Sequence, residues 1–258
     1  MSRKSKRPSS RFSPKKVFTA DDFVKQGEKV LKSMIYHTPT TIPIIVGGTG
    51  FYIDALLGRV VLPNVPPNPT LRAQLERKNV EELYIMLKKK DPARAKTIEP
   101  KHKRRLIRAL EIAMYKLRQT TRARALKAAR PSFTLASSSL ASQEYEVLWL
   151  GLNPASAKLK KNIHTRLLAR LKQGMVAEAK RLHTGGLSYK RMEELGLEYR
   201  YLARLLQNKI SKQEFSEQLE REIRKYAKRQ SRWFKRNSDI HWVTGKAEAL
   251  QRVKHFLN

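Results

Sequence analysis

Apolar positions recur every three to four residues along most of this chain and form unbroken runs at only a few places. That pattern predicts many helices around a small buried sheet. The first helix is expected at Thr19-Ala20-Asp21-Asp22, where the Thr19 hydroxyl and the Asp22 carboxylate can serve the unpaired amides of a helix start. Its buried stripe would be Phe23, Val24, Val30, Leu31 and Met34. Residues 42–46, IPIIV, read as a buried strand that ends in Gly47-Gly48-Thr49-Gly50, with a helix beginning at once through Phe51, Tyr52, Ala55 and Leu56. Glycines at such a corner let a backbone approach closely, and outward amides beside the Thr49 hydroxyl could receive an anion or a polar substrate atom.

Residues 62–69 hold four prolines in eight positions, which fits a stiff connection and marks a domain boundary. Successive helices are predicted over 70–78, over Val80–Lys90 with Asn79 as cap, and over 101–117, with a short turn after Asp91-Pro92. Residues 145–152 read as a second buried strand, and a helical region from Pro154 is punctuated by Gly174 and Gly185-Gly186. A capping box at Ser211 to Glu214 opens a helix to about Arg236. Ile240–Val243 reads as a closing strand, and 246–256 as a final helix.

These elements point to an α/β fold: an incomplete parallel sheet with flanking helices, interrupted by an all-helical insertion. The expected divisions are a disordered basic tail over 1–12, the first part of the core over 13–66, the insertion over 67–142 ending in a mobile Ser-rich loop, and the rest of the core over 143–258.

Charge sharpens this picture. Fifty-five Lys and Arg against 22 Asp and Glu leave a formal net charge of +33. These cations cannot all be paired within the chain, and the resulting field favours a polyanion, either nucleic acid or an anionic membrane surface. No apolar run approaches the roughly 18 residues that suggest a bilayer span, so a cytoplasmic protein without a membrane partner is expected. There are no cysteines, and the six histidines lack ligand spacing, so no metal cluster is predicted. The densest cationic stretch, EREIRKYAKRQSRWFKR over 220–236, sets Arg221, Lys225, Lys228, Arg229, Arg232 and Arg236 near one helical face. Like charges that close weaken an isolated helix, and a phosphate backbone would relieve them. A solvated basic face is the plainer reading.

Three stretches together resemble one family. Gly47-Gly48-Thr49-Gly50-Phe51-Tyr52 with Ala55-Leu56-Leu57, Arg104-Arg105-Leu106-Ile107-Arg108-Ala109-Leu110-Glu111, and Tyr226-Ala227-Lys228-Arg229-Gln230 with Trp233-Phe234 are similar to the signature segments of tRNA dimethylallyltransferases, in the same order. The resemblance implies a P-loop NTPase-like sheet. It also implies transfer of a dimethylallyl group from dimethylallyl diphosphate to N6 of the adenosine adjacent to the anticodon, with Mg²⁺ assisting the diphosphate. The expected partner is a tRNA anticodon stem-loop, bound by a monomer.

The resemblance further implies that Thr49 and Arg72 lie close to the reacting adenine. On local sequence alone they read as a helix cap and a surface residue. Arg104, Arg105, Arg108, Tyr199, Arg200, Lys228, Arg229, Gln230, Arg232, Trp233 and Lys235 are the implied tRNA contacts. The family's usual Gly-Tyr pair is replaced here by Gly196-Leu197-Glu198-Tyr199-Arg200, where Tyr199 could stack on a base or pack inside the fold.

Nothing in these 258 residues matches G-x-x-x-x-G-K-[ST], nor the short segment that in the family carries a catalytic aspartate. Without that loop and base, prenyl transfer by the chain alone is expected to fall below detection. The alternatives are a non-catalytic RNA-binding protein and a gene fragment.

Overall fold

The computed structural model describes residues 13–37, 41–127 and 146–258, with side chains throughout except at 121–127. The basic tail over 1–12, the Ser-rich stretch and the start of the strand predicted from Tyr145 lie outside the described residues. The chain forms two compact units.

The first unit opens with α1 (Ala20–His37). The Thr19 amide donates to Asp22 Oδ2 at 2.8 Å and the Asp22 amide to Thr19 Oγ1 at 3.2 Å, the expected capping pair. α1 lies on α2 (Gly50–Leu56). The Phe23 and Tyr52 rings stand 5.2 Å apart, and Gly27 lets the two helices close until a Cβ there would be 2.8 Å from Leu56.

Residues 42–46 do not form the predicted strand. They run without regular structure, with Ile42, Ile44 and Val46 exposed by 53, 83 and 90%. Among the described residues the sheet consists of β1 (Trp149–Leu152) and β2 (Ile240–Val243), paired in parallel with Trp149 opposite Ile240 and Leu152 opposite Val243. An apolar run has the composition of a strand, but it becomes one only where another backbone offers a ladder.

Such a run is itself a template for pairing between molecules. Replacing Ile44 and Val46 together by lysine is therefore expected to raise the concentration at which the chain stays monodisperse by light scattering, while shifting unfolding by no more than about 0.5 kcal/mol. A variant that scatters as strongly as the parent would remove this run as the cause.

β1 leads into α7 (Ser156–Lys172), α8 (Met175–Thr184), α9 (Tyr189–Leu195), α10 (Leu197–Leu206) and α11 (Lys212–Phe234), and α12 (Lys246–Leu257) follows β2. Leu167, Met175, Ala179, Leu187, Met192, Leu202, Phe215 and Leu219 make their shared core. Arg59 ties the turn after α2 to this framework: its guanidinium is 2.6 Å from Asp239 at the start of β2 and lies over the Trp149 ring of β1.

The second unit is all-helical: α3 (Pro69–Glu76), α4 (Val80–Lys90), α5 (Pro92–Thr97) and α6 (Lys103–Lys127). Prolines at the first positions of α3 and α5 need no amide partner there, and Asn68, Asn79 and Asp91 supply the side-chain caps. Leu75, Leu83, Leu87, Leu106, Ile107 and Leu110 form its core. α6 continues past Leu117, because the residues there are good helix formers without glycine or proline.

Candidate functional site

The 47–50 corner is held from behind by α11. Gln230 Nε2 donates to the Gly48 carbonyl at 2.8 Å, and Trp233 Nε1 donates to Asp54 Oδ2 at 2.7 Å. The Trp233 ring lies against Gly50, and the Phe51 ring meets it edge-on with centroids 6.1 Å apart. A Cβ at Gly50 would overlap the indole, and one at Gly48 would displace the Gln230 amide from its bond, so close approach favours glycine at both positions. Thr49 is exposed at the crest of this corner, and its hydroxyl makes no cap bond. Its carbonyl instead accepts from the Tyr52 amide at 2.9 Å. α2 spans only seven residues, so the corner's chemistry rests on that hydroxyl more than on a helix dipole.

α11 carries two stripes. Ser211 and Glu214 cap it reciprocally; Phe215 and Leu219 are buried, and Ile223 packs on the same core. Steps of three and four continue this stripe to Gln230 and Phe234, which is why Gln230 faces the corner. The other stripe is cationic. The helix's own ion pairs, Glu220 with Arg224 and Glu222 with Lys225, occupy its middle. Lys228, Arg229, Arg232 and Lys235 are exposed and form no ion pair among the described residues. The residues proposed from sequence on this helix thus divide: four cations point to solvent, and Gln230 and Trp233 point to the corner.

In the helical unit Arg72 is clamped. Its Nε and Nη2 donate to the two Glu111 oxygens at 3.0 and 2.8 Å, Arg108 Nη1 adds a bond of 2.6 Å, and the Asn68 amide another of 2.6 Å. Arg108 also donates to the Val65 carbonyl. Glu111 is buried, which pushes its carboxyl up, but the bonds from Arg72, Asn68 and Arg108 outweigh burial and hold it below the usual range. Arg72 therefore reaches a ligand only with its remaining N–H groups on Nη1 and Nη2, and Arg108 is a brace within the unit. Arg104 and Arg105 are exposed on α6. Above Glu111 lies an open cleft of about 510 Å³, lined by Pro66, Pro67, Pro69, Tyr115 and Arg118.

Tyr199 packs against the α7–α11 core rather than standing free, and its hydroxyl donates to Glu178 at 2.6 Å. Burial, the bond to Glu178 and that carboxylate's charge push the phenol up to about 12. Arg200 remains exposed, with Nε donating to the Glu193 carbonyl. Gly196 adopts φ +136°, which disfavours any side chain, so it is required between α9 and α10 even though the tyrosine does not follow it directly. The residues that sequence reasoning left without a role are Asp54 and Glu111. A carboxylate three residues after Arg108 on one helix face was the available signal for the second.

Among the described residues no three His, Asp or Glu converge, and Asp54 and Glu111 are already engaged. No helix of the described residues is long and apolar enough to cross a membrane.

Residues 10–237 match the IPP transferase family model. This chain belongs to the IPP transferase family. It is 34% identical over 220 residues to tRNA dimethylallyltransferase 1 of Geotalea uraniireducens, covering 84% of this chain and 67% of the relative. It is 39% identical over 208 residues to tRNA dimethylallyltransferase 2 of Treponema denticola, covering 78% and 65%. The chain thus spans about two thirds of the length of these relatives. Among solved structures, the tRNA isopentenylpyrophosphate transferase of Bacillus halodurans superposes with TM-score 0.59 at 24% identity, over 95% of this chain and 75% of that one. A eukaryotic dimethylallyltransferase acting on tRNA superposes with TM-score 0.66 at 20% identity, over 90% and 58%. Both share the P-loop NTPase-like fold class with this chain.

Proposed function

We propose that these residues form the tRNA-gripping and acceptor part of a tRNA dimethylallyltransferase. The observation that carries the reading is the two-sided α11, with unpaired Lys228, Arg229, Arg232 and Lys235 on one stripe and the corner bearing exposed Thr49 braced by the other. Phosphates of an anticodon stem-loop would lie along the cations and release counterions, while the target adenosine leaves the loop stack at small cost. Thr49 would then offer its hydroxyl to the edge of that base. Within the helical unit, exposed Arg104 and Arg105 offer cations suited to phosphate, and Arg72 keeps its outer N–H groups free for a ligand.

In the reaction, N6 of the adenine bonds to C1 of the dimethylallyl group as the C1–O bond to diphosphate breaks, and N6 loses a proton. No stretch of the 258 residues matches G-x-x-x-x-G-K-[ST], and on that ground we assign donor binding to a segment outside them. Labelled prenyl transfer tests this. The chain alone is expected to bind the stem-loop without modifying it, and transfer should appear when a relative's P-loop segment is supplied. Transfer by the chain alone would sink the assignment of the donor site. Binding no better than to a random RNA hairpin of equal charge would sink the acceptor reading.

A further inference from the structure

We infer that Gln230 and Trp233 are positioning residues that set the conformation of the 47–50 corner, and that neither contacts RNA. The inference deepens the proposed acceptor site and rests on it. Each side chain has its polar atom committed within the protein: the Gln230 amide on the Gly48 carbonyl and the Trp233 indole N–H on Asp54. Each also fills the space that a Cβ would take at Gly48 or Gly50, so a side chain at either glycine would displace its partner. Both are only partly exposed, whereas Lys228, Arg229, Arg232 and Lys235 around them face solvent. Trp233 is further covered by Arg236, whose guanidinium lies 5.5 Å from the ring centroid. Gly48 and Gly50 flank Thr49, so one helix holds the backbone by a hydrogen bond on one side of the proposed acceptor contact and by ring packing on the other. The same helix carries the phosphate-binding cations, which sets the distance between backbone grip and base contact through a single rigid element.

The test compares Q230A, W233F, D54N and D54L in the full chain. Wild type should prefer a stem-loop with adenosine at the target position over one with purine there, which lacks the N6 amino group. In Q230A and W233F this preference is expected to vanish, while affinity for the purine stem-loop and its salt slope stay unchanged. Hydrogen exchange of the peptide over 48–57 should quicken by roughly fivefold, the scale of one lost hydrogen bond. D54N keeps an oxygen acceptor for the indole and should behave as wild type; D54L should behave as W233F. Uniform weakening for both stem-loops, with a smaller salt slope and unchanged exchange at the corner, would make Gln230 an RNA contact and overturn the inference. Retained preference with unchanged exchange would overturn it as well. A wild type without any preference would instead defeat the acceptor reading, with the exchange data still deciding the positioning role.

Discussion

Exchanging Arg229 and Arg232 together for glutamate is expected to weaken binding of an anticodon stem-loop by roughly 30- to 100-fold at 0.1 M salt. Each phosphate contact contributes about 0.7 to 0.9 to the slope of log K against log salt, hence nearly a decade of affinity at that concentration. Losing two should flatten the slope by about 1.4 to 1.8. The fold should survive, because glutamates at these positions lie one helical turn from Lys225, Lys228 and Arg236 and relieve repulsion along a stripe where, among the described residues, only Lys225 has an ion-pair partner, Glu222. The stacking of Arg229 over Tyr226 would be lost, at a small exposed-site cost. Fluorescence anisotropy across a salt series, with circular dichroism as control, checks this. Unchanged affinity and slope would return the helix to the status of a solvated basic face.

Glu111→Gln should be the most damaging single change in the helical unit, costing about 2–3 kcal/mol. Glu111 is buried and accepts from Arg72, Arg108 and the Asn68 amide at once. Removing one partner of a buried pair typically costs about 3–5 kcal/mol. The lower figure is appropriate because Arg72 and Arg108 are 44% and 36% exposed and can be partly rehydrated. The effect depends on pH with a definite sign. The carboxyl is held below its ordinary value of 4.5 in the folded chain, so the unfolded chain takes up its proton more readily. The stabilisation is therefore full above that value and disappears as pH falls through the lowered folded pKa. Urea unfolding of wild type and E111Q should differ most near pH 7 and converge on acidification. A difference independent of pH would assign Glu111 to packing alone.

The caps were the most legible features, because Thr19 with Asp22, Asn79 with Glu82, and Ser211 with Glu214 exchange bonds across only three residues. β2 was legible because Ile240 and Val243 are both buried, as an apolar run predicts. The 42–46 run misled because its composition reports a taste for burial and is silent on where a partner backbone lies. The clamp on Arg72 was not legible, since its partner Glu111 is remote in sequence and belongs to another helix. Gln230 and Trp233 were expected as tRNA contacts because the family resemblance takes in their whole segment. Following the stripe from Phe215 through Leu219 and Ile223 would have turned Gln230 inward. The resemblance drew attention to the corner without indicating which of its residues carry ligand and which hold the backbone.

The parallel pairing of β1 with β2 has a kinetic consequence. Its two strands are separated in the chain by the whole of α7–α11, so their ladder closes a long loop and gains nothing until those helices have condensed. Assembly of this unit should therefore begin among the helices and end at the strands. Substitutions such as Val243→Ala would then speed unfolding while leaving the rate of refolding almost untouched.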